Sequence, residues 1–210
     1  MAVDRVLREA VSTPEKVIRA NRWSAPVITP ISILLLSLLC TGSLRAAGPT
    51  IVIYRVGDTG QNAAMSIKQS LETQGFPVVL IQGESVLEKH IEKAGAINRI
   101  PTALFLAFQY VPSEKDRRVL IAKTVAKRGE GAFLTIDEVP AKFTEESNRL
   151  AYSVAESFSV KVKQMPLFPL LGVNMPGILV RWEGKEETIP ELTSRLCAGI
   201  DKYVWKDKNL

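Results

Sequence analysis

One histidine, His90, and two cysteines, Cys40 and Cys197, are all that 210 residues contain of these types. A metal centre built on two imidazoles is therefore excluded anywhere in the chain. If the N-terminal segment is removed, Cys197 stands alone and no intrachain disulfide can form. Its apolar setting, Leu196-Cys197-Ala198-Gly199-Ile200, predicts a small buried core residue rather than a reactive thiol. Phosphate loops are missing as well, because Gly57-Asp58-Thr59-Gly60 has neither the spacing nor the lysine of one. Internal repeats and low-complexity tracts are absent. Charge of one sign is also not concentrated. Residues 1–48 carry six basic and three acidic side chains, and the remaining 162 carry 21 and 19. A domain this balanced lacks the basic face of a dedicated nucleic-acid binder, so no nucleic-acid partner is expected.

What is present is ordinary globular material, 46% apolar and 23% charged. From Trp23 to Leu44 runs an uncharged stretch of 22 residues with the dense heart Ile31-Ser32-Ile33-Leu34-Leu35-Leu36-Ser37-Leu38-Leu39. Arginines precede it and Ala46-Ala47-Gly48 follows, the layout of a secretory signal cut before Pro49. Retention as a single-span anchor is the other reading, since the stretch reaches the roughly 20 residues needed to cross a bilayer. Cys40 follows two leucines and lacks the small residue that precedes a lipidated cysteine. The expected organisation is a basic segment with a signal or membrane anchor over 1–48 and one α/β domain over 49–210, exported to the periplasm or held on the inner membrane facing it.

Periodicity within 49–210 alternates. Ile51-Val52-Ile53-Tyr54 is an apolar run that predicts a buried strand, Val78-Val79-Leu80-Ile81 a second strand closed by Gly83, and Ala103-Leu104-Phe105-Leu106-Ala107-Phe108 a third, without polar alternation, as in a strand covered on both faces. Between them, Ala63, Ile67 and Leu71 mark a helix stopping at Gly75, and Val86, Leu87, His90, Ile91 and Ala94 mark the face of a second ending near Gly95. Val119-Leu120-Ile121-Ala122 and Ala132-Phe133-Leu134-Thr135-Ile136 flank the turn-like Lys127 to Gly131, which predicts an edge hairpin. A helix is predicted from about Thr144 to Ser159, a last strand at Ile178-Leu179-Val180, and a closing helix on Ile189, Leu192, Leu196, Ile200 and Val204. The predicted fold is three-layer α/β, with a mostly parallel central sheet of about six strands and flanking helices.

With these elements in order, the chain resembles the zinc-dependent N-acetylmuramoyl-L-alanine amidases of family 3 over about residues 50–205. Ile51-Val52-Ile53 resembles that family's opening strand, and Gly75-Phe76-Pro77-Val78-Val79-Leu80 its second. Thr102 to Phe108 is similar to the strand leading to a ligand histidine, and Met175-Pro176-Gly177-Ile178-Leu179-Val180 to the run before the catalytic glutamate. Glu146-Ser147-Asn148-Arg149-Leu150-Ala151 resembles the helix start between them.

The resemblance implies a zinc held by two histidines and a carboxylate, with a glutamate acting on the metal-bound water. At the implied positions stand other residues. The first histidine falls on Gly57, the second on Gln109 and the catalytic glutamate on Arg181, while Asp58 is the sole acidic candidate for the carboxylate ligand. No catalytic residue, metal ligand or cofactor is therefore expected. His90 reads as a satisfied or solvent-facing helix residue, with Ala94 rather than a second ligand at i+4. Tyr54, Arg55, Asp58, Gln109, Arg181 and Glu183 are the candidate binding residues. Arg181 either fills the pocket and pairs with Asp58 or Glu183, or points away and leaves Trp182 or Glu183 facing it.

Three functions fit these residues. The first is a non-catalytic amidase-like module of the cell envelope, binding peptidoglycan or a partner protein. The second is a residual hydrolase that uses Glu183, Asp58 and Tyr54 as acid and base. The third is a structural interaction domain, with Tyr110, Pro112, Phe168 and Pro169 either forming an apolar recognition surface or covering core.

Overall fold

Apolar runs with no polar position to place in water suit strands covered on both sheet faces, as residues 51–54 and 104–108 are here. The computed structural model describes residues 48–101, 103–114, 117–126 and 134–206. Strand β1 (Thr50–Arg55) is buried along Ile51 to Tyr54. Strand β2 (Val78–Gln82) and strand β3 (Ala103–Pro112) lie parallel to it on either side. Strand β6 (Gly177–Gly184) continues the parallel set beside β3. Strand β4 (Arg118–Lys123) runs antiparallel to β6, and the short β5 (Val162–Gln164) lies parallel to β4 at the edge. The order is β2-β1-β3-β6-β4-β5, a six-stranded, mostly parallel sheet.

Among the described residues, four helices and several short turns cover it. Helix α1 (Gln61–Thr73) buries Ala63, Ala64, Ile67 and Leu71. It stops where Gly75 adopts φ 89°, and the chain closes a Schellman motif. In that motif Phe76 N–H reaches Leu71 O at 3.1 Å and Gly75 N–H reaches Glu72 O at 3.0 Å. Helix α3 (Thr144–Phe158) and helix α4 (Ile189–Lys206) pack with α1 on the same face, over Ile51, Ile53, Leu106, Phe108, Ile178, Val180 and Trp182. Helix α2 (Leu87–Ile97) and the segment Leu167–Met175 cover the other face, over Val52, Tyr54, Phe105, Ala107 and Leu179. Strand alternation thus divides one sheet into two cores, giving the three layers.

The helices on the first face come close at Gly199. A Cβ there would lie 2.7 Å from Val154 Cα and 3.2 Å from Ser153 O, both backbone atoms. Alanine normally gains about 1 kcal/mol over glycine in a helix, but overpacking at backbone contact costs about 1–3 kcal/mol. Gly199→Ala is therefore expected to destabilise by about 1–2 kcal/mol, read as a lower urea midpoint with unchanged slope. A gain in stability would show that α3 and α4 have room to separate.

Three expectations are corrected here. The second hairpin arm does not form over its described residues: Leu134 and Thr135 are outside any strand, Ile136 opens a turn, and β4 takes β6 and β5 as neighbours. Its turn, Lys127 to Gly131, lies outside the described residues, as does the 23–44 segment. Val86 and Leu87 are not on the buried face of α2, because they are its N-cap and first residue, 47% and 43% exposed. That face is His90, Ala94 and Ile97, and the helix passes Gly95 without interruption. Cys197 is buried in the first core, as expected. Among the described residues no helix is long and apolar enough to cross a membrane.

Candidate functional site at the carboxyl edge of the sheet

From β1 the chain passes through α1 to β2 on one side, then through α2 to β3 on the other. The carboxyl ends of β1 and β3 therefore flank the point where strand order reverses, the usual ligand crevice of open α/β sheets. Here the loop after β1 closes over it. Val56 N–H donates to Phe108 O at 2.8 Å and extends the pairing of β1 with β3. Thr59 Oγ1 donates to Tyr110 O at 2.5 Å. Gly60 has φ 80° and sits so close that a Cβ would fall 2.4 Å from Tyr110 Cβ. Tyr110 is buried, with its hydroxyl donating to Gly184 O at 2.8 Å. Gly57 also takes a left-handed φ of 82°, and its carbonyl accepts from Gln82 Nε2 at 3.0 Å.

Beyond the crevice, alternation decides which candidates meet. Gln109 pairs with Arg181 across β3 and β6, and Arg181 pairs with Leu120 across β6 and β4. Glu183, two residues along β6, shares their face and stands opposite Arg118. Arg181 Nη2 binds Glu183 Oε1 at 2.6 Å, while Arg181 Nε is buried with no hydrogen-bond partner among the described residues. Trp182 points to the opposite face, buried against Phe158 with its Nε1–H donating to Thr188 Oγ1 at 3.2 Å. A cavity of about 370 Å3 opens over this corner, lined by Arg118, Val119, Leu120, Arg181 and Glu183.

Not every candidate joins this group. Arg55 alternates with Ile51 and Ile53 onto the other face, where its Nη1 donates to the carbonyls of Asp58 at 2.9 Å and Thr59 at 3.2 Å. Asp58 is exposed in the loop. Arg118 and Leu120 were not among the candidate site residues, because nothing before the fold shows that β4 lies beside β6 with Arg118 facing Glu183. The only available signal was the charged start of an otherwise apolar strand.

Tyr54 is corrected from a ligand contact to a core group. It is 1% exposed, and its hydroxyl accepts from Glu84 N–H at 2.7 Å while meeting His90 Nδ1 at 2.8 Å. His90, fully buried, has its other ring nitrogen 3.0 Å from Leu171 O. A carbonyl can only accept, so Nε2 carries the proton and Nδ1 receives the tyrosine O–H. The result is a directed chain from Glu84 N–H through Tyr54 and neutral His90 to Leu171 O. Burial holds the His90 pKa below its ordinary value, with the Leu171 carbonyl opposing, and burial pushes the Tyr54 phenol up. His90 is thus the satisfied helix residue, not the solvent-facing one. Tyr110, within β3, covers core, and Phe168 is 37% exposed, its ring 4.8 Å from that of His90.

A zinc ion at the positions implied by the resemblance would need imidazole and carboxylate donors. Gly57 offers no side chain, and its left-handed backbone disfavours histidine. Gln109 offers an amide and Arg181 a cation. Both nitrogens of His90 are already engaged. Among the described residues no group of three or more His, Cys, Asp or Glu side chains is placed to share an ion. The residues present do not fit zinc.

No protein-family model matches the chain, and no curated protein matches it. Among solved structures it is similar to the N-acetylmuramoyl-L-alanine amidase AmiC2 of Nostoc punctiforme, at 14% identity and a TM-score of 0.45, over 78% of this chain and 99% of that one. It is also similar to the catalytic domain of CwlV, an N-acetylmuramoyl-L-alanine amidase from Bacillus (Paenibacillus) polymyxa var. colistinus, at 13% identity and a TM-score of 0.46, over 76% and 98%.

Proposed function

We propose that this chain is a non-catalytic, amidase-like domain of the cell envelope that binds peptidoglycan through the carboxyl edge of its sheet. The observation that carries the reading is the Gln109–Arg181–Glu183 row. The stretches that resemble an amidase bring Gln109 and Arg181 together across β3 and β6, where the resemblance calls for a ligand histidine and the catalytic glutamate. A guanidinium held there by Glu183 at 2.6 Å repels a divalent cation at short range and supplies planar donors instead. Metal-assisted attack on an amide is then replaced by recognition of polar or anionic groups. Export to the envelope, with residues 23–44 as signal or anchor, belongs to the same reading.

Two measurements on the purified full chain test it. Dye-labelled sacculi incubated with the chain and added zinc are expected to release no more dye than buffer. The same sacculi, sedimented, are expected to carry the chain into the pellet. Dye release above background would return the chain to the hydrolases. Failure to sediment would leave an envelope protein as the partner and end the peptidoglycan assignment.

A further inference from the structure

The corner over β4 and β6 holds two guanidiniums around one carboxylate. Arg118 is exposed at the start of β4, directly across from Glu183, and among the described residues it has no ion-pair partner. Its neighbours are occupied, Arg117 with Glu191 and Lys185 with Glu114. Arg181 places Nη2 on Glu183 and keeps a buried Nε without a partner. Arg181 and Glu183 are half-exposed, 40% and 27%, so both remain open to a ligand. The local balance is one positive charge in excess, beside the apolar wall that Leu120 gives a cavity of about 370 Å3. That volume lies within the range of small-ligand sites.

From this geometry we infer that the cavity receives a peptide carboxylate, clamped between Arg118 and Arg181, with the adjoining aliphatic part of the peptide resting on Leu120. Guanidinium forks match a planar carboxylate in two parallel hydrogen bonds. Glu183 is the internal competitor: it occupies Arg181 in the free protein and yields part of that guanidinium when the ligand carboxylate arrives. The apolar Leu120 favours a carboxylate on a peptide over a free inorganic anion, which has nothing to place against it. This assignment rests on the reading of the carboxyl edge as a peptidoglycan-binding surface and names the chemical group it recognises.

The test is calorimetric titration of the full chain with L-alanyl-D-glutamate, whose side-chain and terminal carboxylates are free, alongside the same dipeptide amidated at both carboxyls and inorganic phosphate. Arg118→Gln and Arg181→Gln are each expected to weaken the free dipeptide by about tenfold or more, the size of one lost charge-assisted hydrogen bond. Glu183→Gln is expected to tighten it several-fold, because the competitor is gone. A purely structural role for Glu183 would not produce that gain. The diamide is expected to bind about tenfold more weakly, and phosphate to bind more weakly than the dipeptide. Arg118 is exposed, so an unchanged melting temperature for Arg118→Gln shows that the loss is not one of folding. No heat from the wild type, or equal affinity for dipeptide and diamide, overturns the proposal. Sedimentation with sacculi separates the two levels. An Arg118→Gln/Arg181→Gln double variant that sediments like wild type removes this site and leaves the peptidoglycan reading intact. A wild type that binds the dipeptide as described but ignores sacculi keeps the site and removes that reading.

Discussion

His90→Ala is expected to lower stability by about 3–5 kcal/mol. The substitution deletes a fully buried ring and removes two partners at once, the acceptor of the Tyr54 O–H and the donor to the Leu171 carbonyl, while the Tyr54 oxygen keeps the Glu84 N–H. Each buried polar group left without a partner costs about 1–3 kcal/mol, and the cavity adds to that. For a domain of this size the loss corresponds to a fall in melting temperature of roughly 10 °C. His90 also carries a pH signature. Its folded pKa lies below the ordinary 6.5, so the unfolded chain takes up a proton at a pH where the folded chain does not. The His90 contribution is therefore fully present above about pH 6.5. It declines as pH falls from there through the folded pKa. Stability measured from pH 7.5 to 5.5 should drop more steeply in the wild type than in His90→Gln. Matching slopes would mean that the ring is protonated as easily inside the fold as outside it.

Gly60→Ala is the second large effect, and Gly57→Ala is its internal control. Both glycines have φ near 80°, so an alanine at either place meets the left-handed penalty of about 1–2 kcal/mol. They differ in surroundings. At Gly57 nothing lies within 4 Å of an added Cβ, whereas at Gly60 the Cβ would fall 2.4 Å from Tyr110 Cβ. Overpacking adds about 1–3 kcal/mol there, so Gly60→Ala should lose about 3 kcal/mol against about 1–2 for Gly57→Ala. Denaturation of the two variants side by side isolates the steric part. Equal losses would show that the loop after β1 is free to lift off Tyr110, and that the crevice between β1 and β3 is not closed by packing.

Legibility in the sequence followed burial. Strands β1 and β3 were readable because they are covered on both faces, and an uninterrupted apolar run has few other uses; β2 was readable from its apolar run although it lies at the sheet edge with Val79 37% exposed. Helices α1, α3 and α4 were readable because each buries a stripe with a three- or four-residue step. Strand β5 was not, since Val162 is its single partly buried residue and Lys163 and Gln164 face water. A three-residue edge strand has no period to detect. The expected hairpin failed for a related reason: the apolar stretch around residue 134 resembled a strand in composition, yet Thr135 to Glu138 forms a turn, with Glu138 Oε2 accepting the Thr135 N–H at 2.8 Å. At the candidate site, the register of β3 on β6 put Gln109 beside Arg181, and the motif similarity had marked both. The inward turn of Tyr54 and the opposition of Arg118 to Glu183 depend on strand phase and sheet order, which are properties of the assembled sheet rather than of any local run.

The account turns on whether the carboxyl edge can hold a divalent ion, and equilibrium dialysis of the purified full chain against zinc, followed by elemental analysis, measures this directly. A guanidinium at position 181 and a glycine and an amide at 57 and 109 predict retention well below one zinc per chain, unchanged in Arg181→Gln. One zinc per chain, held through dialysis and lost on replacing Gln109 or Asp58, would contradict it.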